Sequence, residues 1–313
     1  VPRRTGPTRR MTEKRYLVME DNKKVDTSEL LKKVRKIEIK TRGLSNNIFA
    51  GEYHTAFKGR GMQFAEVREY MPGDDVRSID WNVTARYSKP FIKVFEEERE
   101  MTLMLLVDVS GSDDFGTAEQ TKREYLTEVA ATIAFSAATN NDKIGVIFFS
   151  DKIEKYIPPQ KGKKHILYII RELLSFQPTS RKTNIDFALK YFTNMVKKRC
   201  SAFLISDFID DSNYSDSLLI ASKKHDLAAL QIFDPREKEL PDAGLIKMKD
   251  AETNEDMWVD TSSASTRRVY EQYVKERDEL LAQSFAKSGV DYISIATTDD
   301  YVKSLMKLFK KRA

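Results

Sequence analysis

The chain of 313 residues is 41% hydrophobic and 32% charged, the balance of a globular protein with enough apolar residues for a sizeable core. No run of about 18 apolar residues occurs, so no segment reads as a membrane span, and the Arg-rich start has no apolar stretch behind it to act as a secretory signal. One cysteine, Cys200, and three scattered histidines, His54, His165 and His225, exclude a disulfide framework, a Cys-only zinc site and a His-rich metal site; they suit a reducing, cytoplasmic setting.

The net charge of +5 is unevenly spread. Residues 1–40 hold 13 Lys/Arg and 6 Asp/Glu, a net of +7, which leaves −2 for the remainder. Residues 1–26 therefore read as a flexible basic tail, with 1–10 lying upstream of a native start at Met11. A nucleic-acid arm is disfavoured, because a true basic footprint continues onto the folded part. Residues 27–40 read as a helix that Thr27 or Ser28 can cap, with Leu30, Leu31, Val34 and Ile37 at helical spacing. Glycines and the Pro72-Gly73 turn break 41–100 into short segments, and alternation at Phe91, Lys93 and Phe95 predicts a strand. We take 27–100 as a small α+β element, with Trp81, Arg77 and Asp80 expected to fix it onto the sheet that follows.

From residue 101 the pattern is regular. Short apolar runs at 103–107, 143–150, 200–208, 226–234 and 290–298 predict buried strands, and 151–157 predicts an edge strand. Helical patterns occupy 119–140, 164–176, 184–199, a short stretch opening at Tyr214–Asp216, 266–289 and 299–312. Continuous apolar strands alternating with helices imply a mostly parallel sheet covered on both faces. Residues 244–260 depart from this and read as an inserted hairpin around Thr253 and Asn254.

In an open parallel sheet, ligands bind beyond the carboxyl ends of the strands. Asp108, Ser110 and Ser112 follow the first buried strand, Asp207 follows the run at 200–208, and Thr183 precedes the helix at 184. These are hard oxygen donors that suit Mg²⁺ or Mn²⁺ and not zinc or copper. So few charges leave an ion short of one ligand, which an acidic group of another molecule would supply. Asp113, Asp114, Arg181, Lys182 and Asp210 flank the set as a rim for that partner. The competing chemistries fit less well. A haloacid-dehalogenase phosphatase needs a second carboxylate where Ser110 stands. A serine hydrolase needs a Gly-x-Ser-x-Gly elbow and a histidine. Gly162-Lys163 lacks the upstream glycine of a P-loop, and Gly59-Arg60-Gly61 lacks the third glycine of a dinucleotide turn.

The Asp108-x-Ser110-x-Ser112 motif with Thr183 and Asp207 resembles the metal-ion-dependent adhesion site of von Willebrand factor A domains. Upstream, Gly59-Arg60-Gly61-Met62-Gln63-Phe64, Glu66-Val67-Arg68-Glu69-Tyr70 and the block Pro72-Gly73-Asp74-Asp75-Val76-Arg77-Ser78-Ile79-Asp80-Trp81 resemble bacterial proteins of domain-of-unknown-function family 58, in which this block precedes an A-like domain. The resemblance implies a Rossmann-like α/β three-layer sandwich of von Willebrand A type over 101–313, with a mostly parallel central sheet, behind a small N-terminal α+β element. It implies a non-enzymatic module that uses Mg²⁺ or Mn²⁺ to capture an acidic residue, with Asp108, Ser110, Ser112, Thr183 and Asp207 as the metal set. The family setting points to a MoxR-type AAA+ ATPase or another A-domain protein as partner. Arg181 and Lys182 depart from the glycines usual before the threonine and add positive charge beside the ion. The alternative is a metal-dependent hydrolase built on the same cluster, with Asp207 as the only evident base.

Overall fold

The computed structural model describes residues 27–44, 53, 62–97, 101–111, 121–210, 212–249 and 256–312. At its centre is a six-stranded sheet built from β3 (Thr102–Asp108), β4 (Lys143–Phe149), β5 (Ile153–Gln160), β6 (Ser201–Ser206), β7 (Asp226–Phe233) and β10 (Asp291–Ala296). The strand order is β10-β7-β6-β3-β4-β5, with all neighbours parallel except the edge pair β4–β5. The expected mostly parallel α/β architecture is therefore the observed one. β5 carries Pro158 and Pro159, which lack the N–H that an inner strand must donate; an edge is where prolines are tolerated.

Alternate strand residues feed opposite faces. Leu103, Leu105 and Val107 join a core with α3 (Lys122–Thr139), α4 (Lys163–Ser175) and α8 (Tyr301–Arg312). Met104 and Leu106 join the other core, with α5 (Ile185–Met195), α6 (Ser215–Lys224) and α7 (Ala264–Lys287). The helix α3 is buried on nearly every side between Tyr125 and Ala137. Its hydroxyls are satisfied within the helix: Thr127, Thr132 and Ser136 donate to the carbonyls of Arg123, Glu128 and Thr132 at 2.7, 2.8 and 2.9 Å. Outside α3 and α4 lies α1 (Thr27–Leu44), which buries Val34 and Ile37 and pairs Lys33 with Glu124 at 2.6 Å and Lys40 with Glu128. The helix expected over 184–199 stops at Met195, where Val196 turns extended before the basic run Lys197–Arg199.

Two small antiparallel units complete the chain. The expected hairpin is present as β8 (Leu245–Lys249) and β9 (Asp256–Asp260); Thr253 and Asn254 lie outside the described residues. The other unit pairs β1 (Met62–Glu69) with β2 (Phe91–Glu97) around a 3₁₀ turn (Val76–Ser78) and α2 (Trp81–Tyr87). Here the structure corrects the sequence reading. Trp81 is 68% exposed and Arg77 is exposed, so neither fixes this unit onto the sheet. Asp80 acts inside the unit, accepting from the Asn82 and Val83 amides at 3.0 and 3.3 Å to cap α2. Among the described residues no helix is long and apolar enough to cross a membrane.

Candidate functional site

β3 and β6 lie side by side at the centre of the sheet, with Val107 opposite Ile205. The chain leaves β3 toward β4 on one side and returns to β6 on the other, so the crevice between their carboxyl ends is the switch point of a doubly wound sheet. β3 ends in Asp108 and β6 in Ser206, followed by Asp207; all three are buried. The Ser206 hydroxyl donates to Asp108 Oδ2 at 2.7 Å, and the Ser110 amide donates to Asp108 Oδ1 at 3.0 Å. The Phe208 amide in turn donates to Ser206 Oγ at 2.9 Å.

A third loop joins these two. The Gly111 amide donates to the Arg181 carbonyl at 3.0 Å, and the Asn184 amide donates to the Ser150 carbonyl at 3.0 Å. Thr183, half-buried, lies between those two anchors. Asn184 caps α5 by accepting from the Phe187 amide at 2.8 Å. Asp210 reaches across from the β6 loop and accepts from the Ile185 amide at 2.7 Å, while its other oxygen accepts from the Ser212 amide at 2.7 Å. The structure thus brings the loops of Asp108, Ser110, Thr183 and Asp207 to one sheet edge. It places Arg181 and Lys182 on the exposed surface beside them and uses Asp210 to hold the Thr183 loop. Ser112, Asp113 and Asp114 lie outside the described residues.

Several contributors were not foreseen from the sequence. Ser206 orients Asp108. Lys122, the first residue of α3, is buried and donates to Asp207 Oδ2 at 2.7 Å and to Glu237 Oε1 at 3.1 Å. Asp207 Oδ1 accepts from the Ile209 amide at 3.1 Å, and the Gln231 side-chain amide donates to the Asp207 carbonyl at 3.2 Å. Between them stands Phe208 at φ +59°, a left-handed conformation that costs a bulky residue about 1–2 kcal/mol. The packing of Phe208 against Phe285 and Tyr292 holds it there. Strain of this kind is retained where a loop has to place a group.

The electrostatics follow from burial. Removal from water, and then the charge of Asp207, push the Asp108 carboxyl up to about 7, against the opposing effect of Ser206 and Ser110. Glu237 is also raised, by burial first and in spite of Lys122. The Lys122 ammonium is shared between Asp207 and Glu237, and Asp108 lies beside Asp207. A carboxylate pair with neighbouring hydroxyls offers the hard oxygen donors that a divalent ion of the Mg²⁺ type takes. Among the described residues no three His, Cys, Asp or Glu converge as a metal cluster.

With fold and site in view, comparison with known proteins places the chain. It belongs to the family described as protein of unknown function DUF58, whose profile matches residues 66–280. It is 26% identical over 292 residues to the uncharacterized protein Rv1480 of Mycobacterium tuberculosis, covering 92% of this chain and 91% of that protein. Among solved structures, the conserved hypothetical protein BatB from Bacteroides thetaiotaomicron is similar with a TM-score of 0.47 and 16% identity, covering 68% of this chain and 98% of that one. Proximal thread matrix protein 1 of the mussel byssus, with a zinc-occupied MIDAS motif, is similar with a TM-score of 0.35 and 18% identity, covering 42% of this chain and 38% of that one.

Proposed function

We propose that this protein is a binding module of von Willebrand A type, in which one divalent ion, Mg²⁺ or Mn²⁺, is held by Ser110, Ser112 and Thr183, with Asp108 and Asp207 touching it or holding its waters. The observation that carries this reading is the convergence at the switch point. Asp108 is fixed by Ser206 from the adjacent strand, and its loop is tied through Gly111 to the loop that bears Thr183. The ion supplies a Lewis-acidic face that an acidic side chain of a partner protein completes. The chain's own residues do the rest. Ser206 and the Ser110 amide hold the Asp108 carboxylate in one orientation, Asp210 and Asn184 fix the Thr183 loop, and Arg181 and Lys182 attract the incoming acid.

Binding is favoured over hydrolysis by the state of Asp207. One of its oxygens is held by Lys122 and the other by a backbone amide, which suits a fixed ligand and not a base that must take up and release a proton. The wider reading is an adaptor in assembly or chaperone-like work linked to a MoxR-type AAA+ ATPase or another A-domain protein, in the cytoplasm.

Calorimetric titration with Mn²⁺ and Mg²⁺ tests the site. The parent should bind one ion weakly, and Asp108→Ala should abolish it while leaving the far-ultraviolet circular dichroism unchanged. A folded parent that takes up neither ion would overturn the metal-site reading.

A further inference from the structure

Lys122 stands where two separate effects oppose a cation. It is the first residue of a helix, whose amino end carries partial positive charge, and its side chain is 1% exposed. The ammonium is held by two carboxylates that the backbone fixes independently. Asp207 is set by the Ile209 amide on one oxygen and by Gln231 on its carbonyl. Glu237 is set by the Asp234 amide, which donates to its Oε2 at 3.1 Å, inside a reciprocal cap in which Asp234 is fully buried. Asp207 follows β6 directly, beside Asp108 at the end of the neighbouring strand β3. Lys122 therefore acts on the crevice through Asp207, and Glu237 draws the same ammonium the other way.

We propose that Lys122 is a built-in counter-cation, a positioning residue that sets how tightly the crevice holds a divalent ion. The inference rests on the metal-site reading above. The ammonium cancels one negative charge next to the ion and keeps one Asp207 oxygen engaged, so the ion alone is held weakly. A partner's carboxylate restores the missing negative charge, so loading of the ion and capture of the acid support each other. Glu237, on the 3₁₀ turn after β7, moderates the effect by sharing the ammonium. Removing the positive charge and removing Glu237 should then act in opposite directions on one measured quantity, which a role in packing alone does not produce.

The test is Mn²⁺ titration of the full chain, read by calorimetry and by the shift in melting temperature with added Mn²⁺, on the parent, Lys122→Met, Lys122→Arg and Glu237→Gln. Lys122→Met should bind Mn²⁺ about tenfold more tightly or better. Glu237→Gln should bind more weakly than the parent, and Lys122→Arg, which keeps the charge, should resemble it. Should Lys122→Met not fold with two carboxylates left unpaired, Glu237→Gln decides: weaker binding supports the proposal, and unchanged or tighter binding overturns it. A parent that binds Mn²⁺ with all folded variants within about twofold, or with Lys122→Met and Glu237→Gln shifted in the same direction, overturns the role of Lys122 and leaves the metal site standing. If the folded parent and folded Lys122→Met both fail to bind, the metal site and this proposal fall together.

Discussion

Asp108 and His225 are both buried ionisable groups, and burial drives each toward its neutral form from opposite sides. For His225, burial first and then the charges of Lys224 and Arg199 lower the imidazole from 6.5 to about 4. Its Nδ1 lies 3.3 Å from Cys200 Sγ, its ring meets Phe192, and its Nε2 has no hydrogen-bond partner among the described residues, so a second proton has nowhere to be satisfied. Burial raises the Cys200 thiol to about 12, which keeps it protonated. The stability that neutral His225 contributes is complete above the unfolded value of 6.5 and is lost as pH falls from there toward about 4, because the unfolded chain takes up a proton that the folded chain refuses. In denaturant melts at successive pH values, the stability difference between the parent and His225→Leu should therefore shift against the parent as pH falls from 6.5 to 4, a comparison that cancels the opposite slope Asp108 contributes over the same range. An identical slope in the two proteins would show that His225 titrates normally in the fold.

At the scale of elements, β4 depends on the absence of one side chain. A Cβ at Gly145 would meet Met104 Sδ at 2.7 Å, the Pro159 nitrogen at 2.9 Å and the Ile157 carbonyl at 3.0 Å. Two of these are backbone atoms of β5, and the β4–β5 register shifts between Ile144 and Val146, where that strand crosses closely. Gly145→Ala should cost about 1–3 kcal/mol in chemical denaturation, by forcing strands apart in a close-packed sheet. The β1–β2 unit shows a different economy. In the block that resembles the family, each acid closes backbone: Asp74 accepts from the Met71 amide and takes both arms of Arg68 at 2.8 and 2.7 Å, Asp75 caps the 3₁₀ turn, and Asp80 caps α2. Asp80→Ala should loosen this unit in hydrogen exchange, whereas Trp81→Ala should leave exchange unchanged, since its ring covers little.

Across the whole molecule, most of the sheet was legible because an inner parallel strand must be apolar on both faces. Runs such as Leu103–Val107 and Ala202–Ile205 admit few other readings. The location of Asp108 and Asp207 was legible for the same reason, as the residues that end such strands. What was hidden depended on long-range contact. Ser206 reads as a strand end until its hydroxyl meets Asp108. Lys122 reads as one more charge at a solvated helix start until Glu237, 115 residues later, arrives to bury it. A lysine at the amino end of a helix was the one available clue, since it opposes the macrodipole. Trp81 misled because an indole beside Arg77 and Asp80 reads as a group that fixes the unit onto the sheet, whereas here it is 68% exposed. The long helix α1 extends the same argument, as its Ile37 reaches the core shared by the sheet, α3 and α4. Ile37→Ala should lower unfolding free energy by about 2–4 kcal/mol, with far- and near-ultraviolet circular dichroism moving in one coincident transition.

The exposure of Trp81 has a companion. The chain contains two tryptophans, and the second, Trp258 on β9, is 63% exposed. Both indoles therefore sit on the small antiparallel units, largely in solvent. Native emission should already be red-shifted, iodide should quench it without denaturant, and the change on global unfolding should be slight. The same property makes the two indoles native beacons: a partner that covers either unit would shift emission to the blue, with no label added and with the core spectroscopically silent.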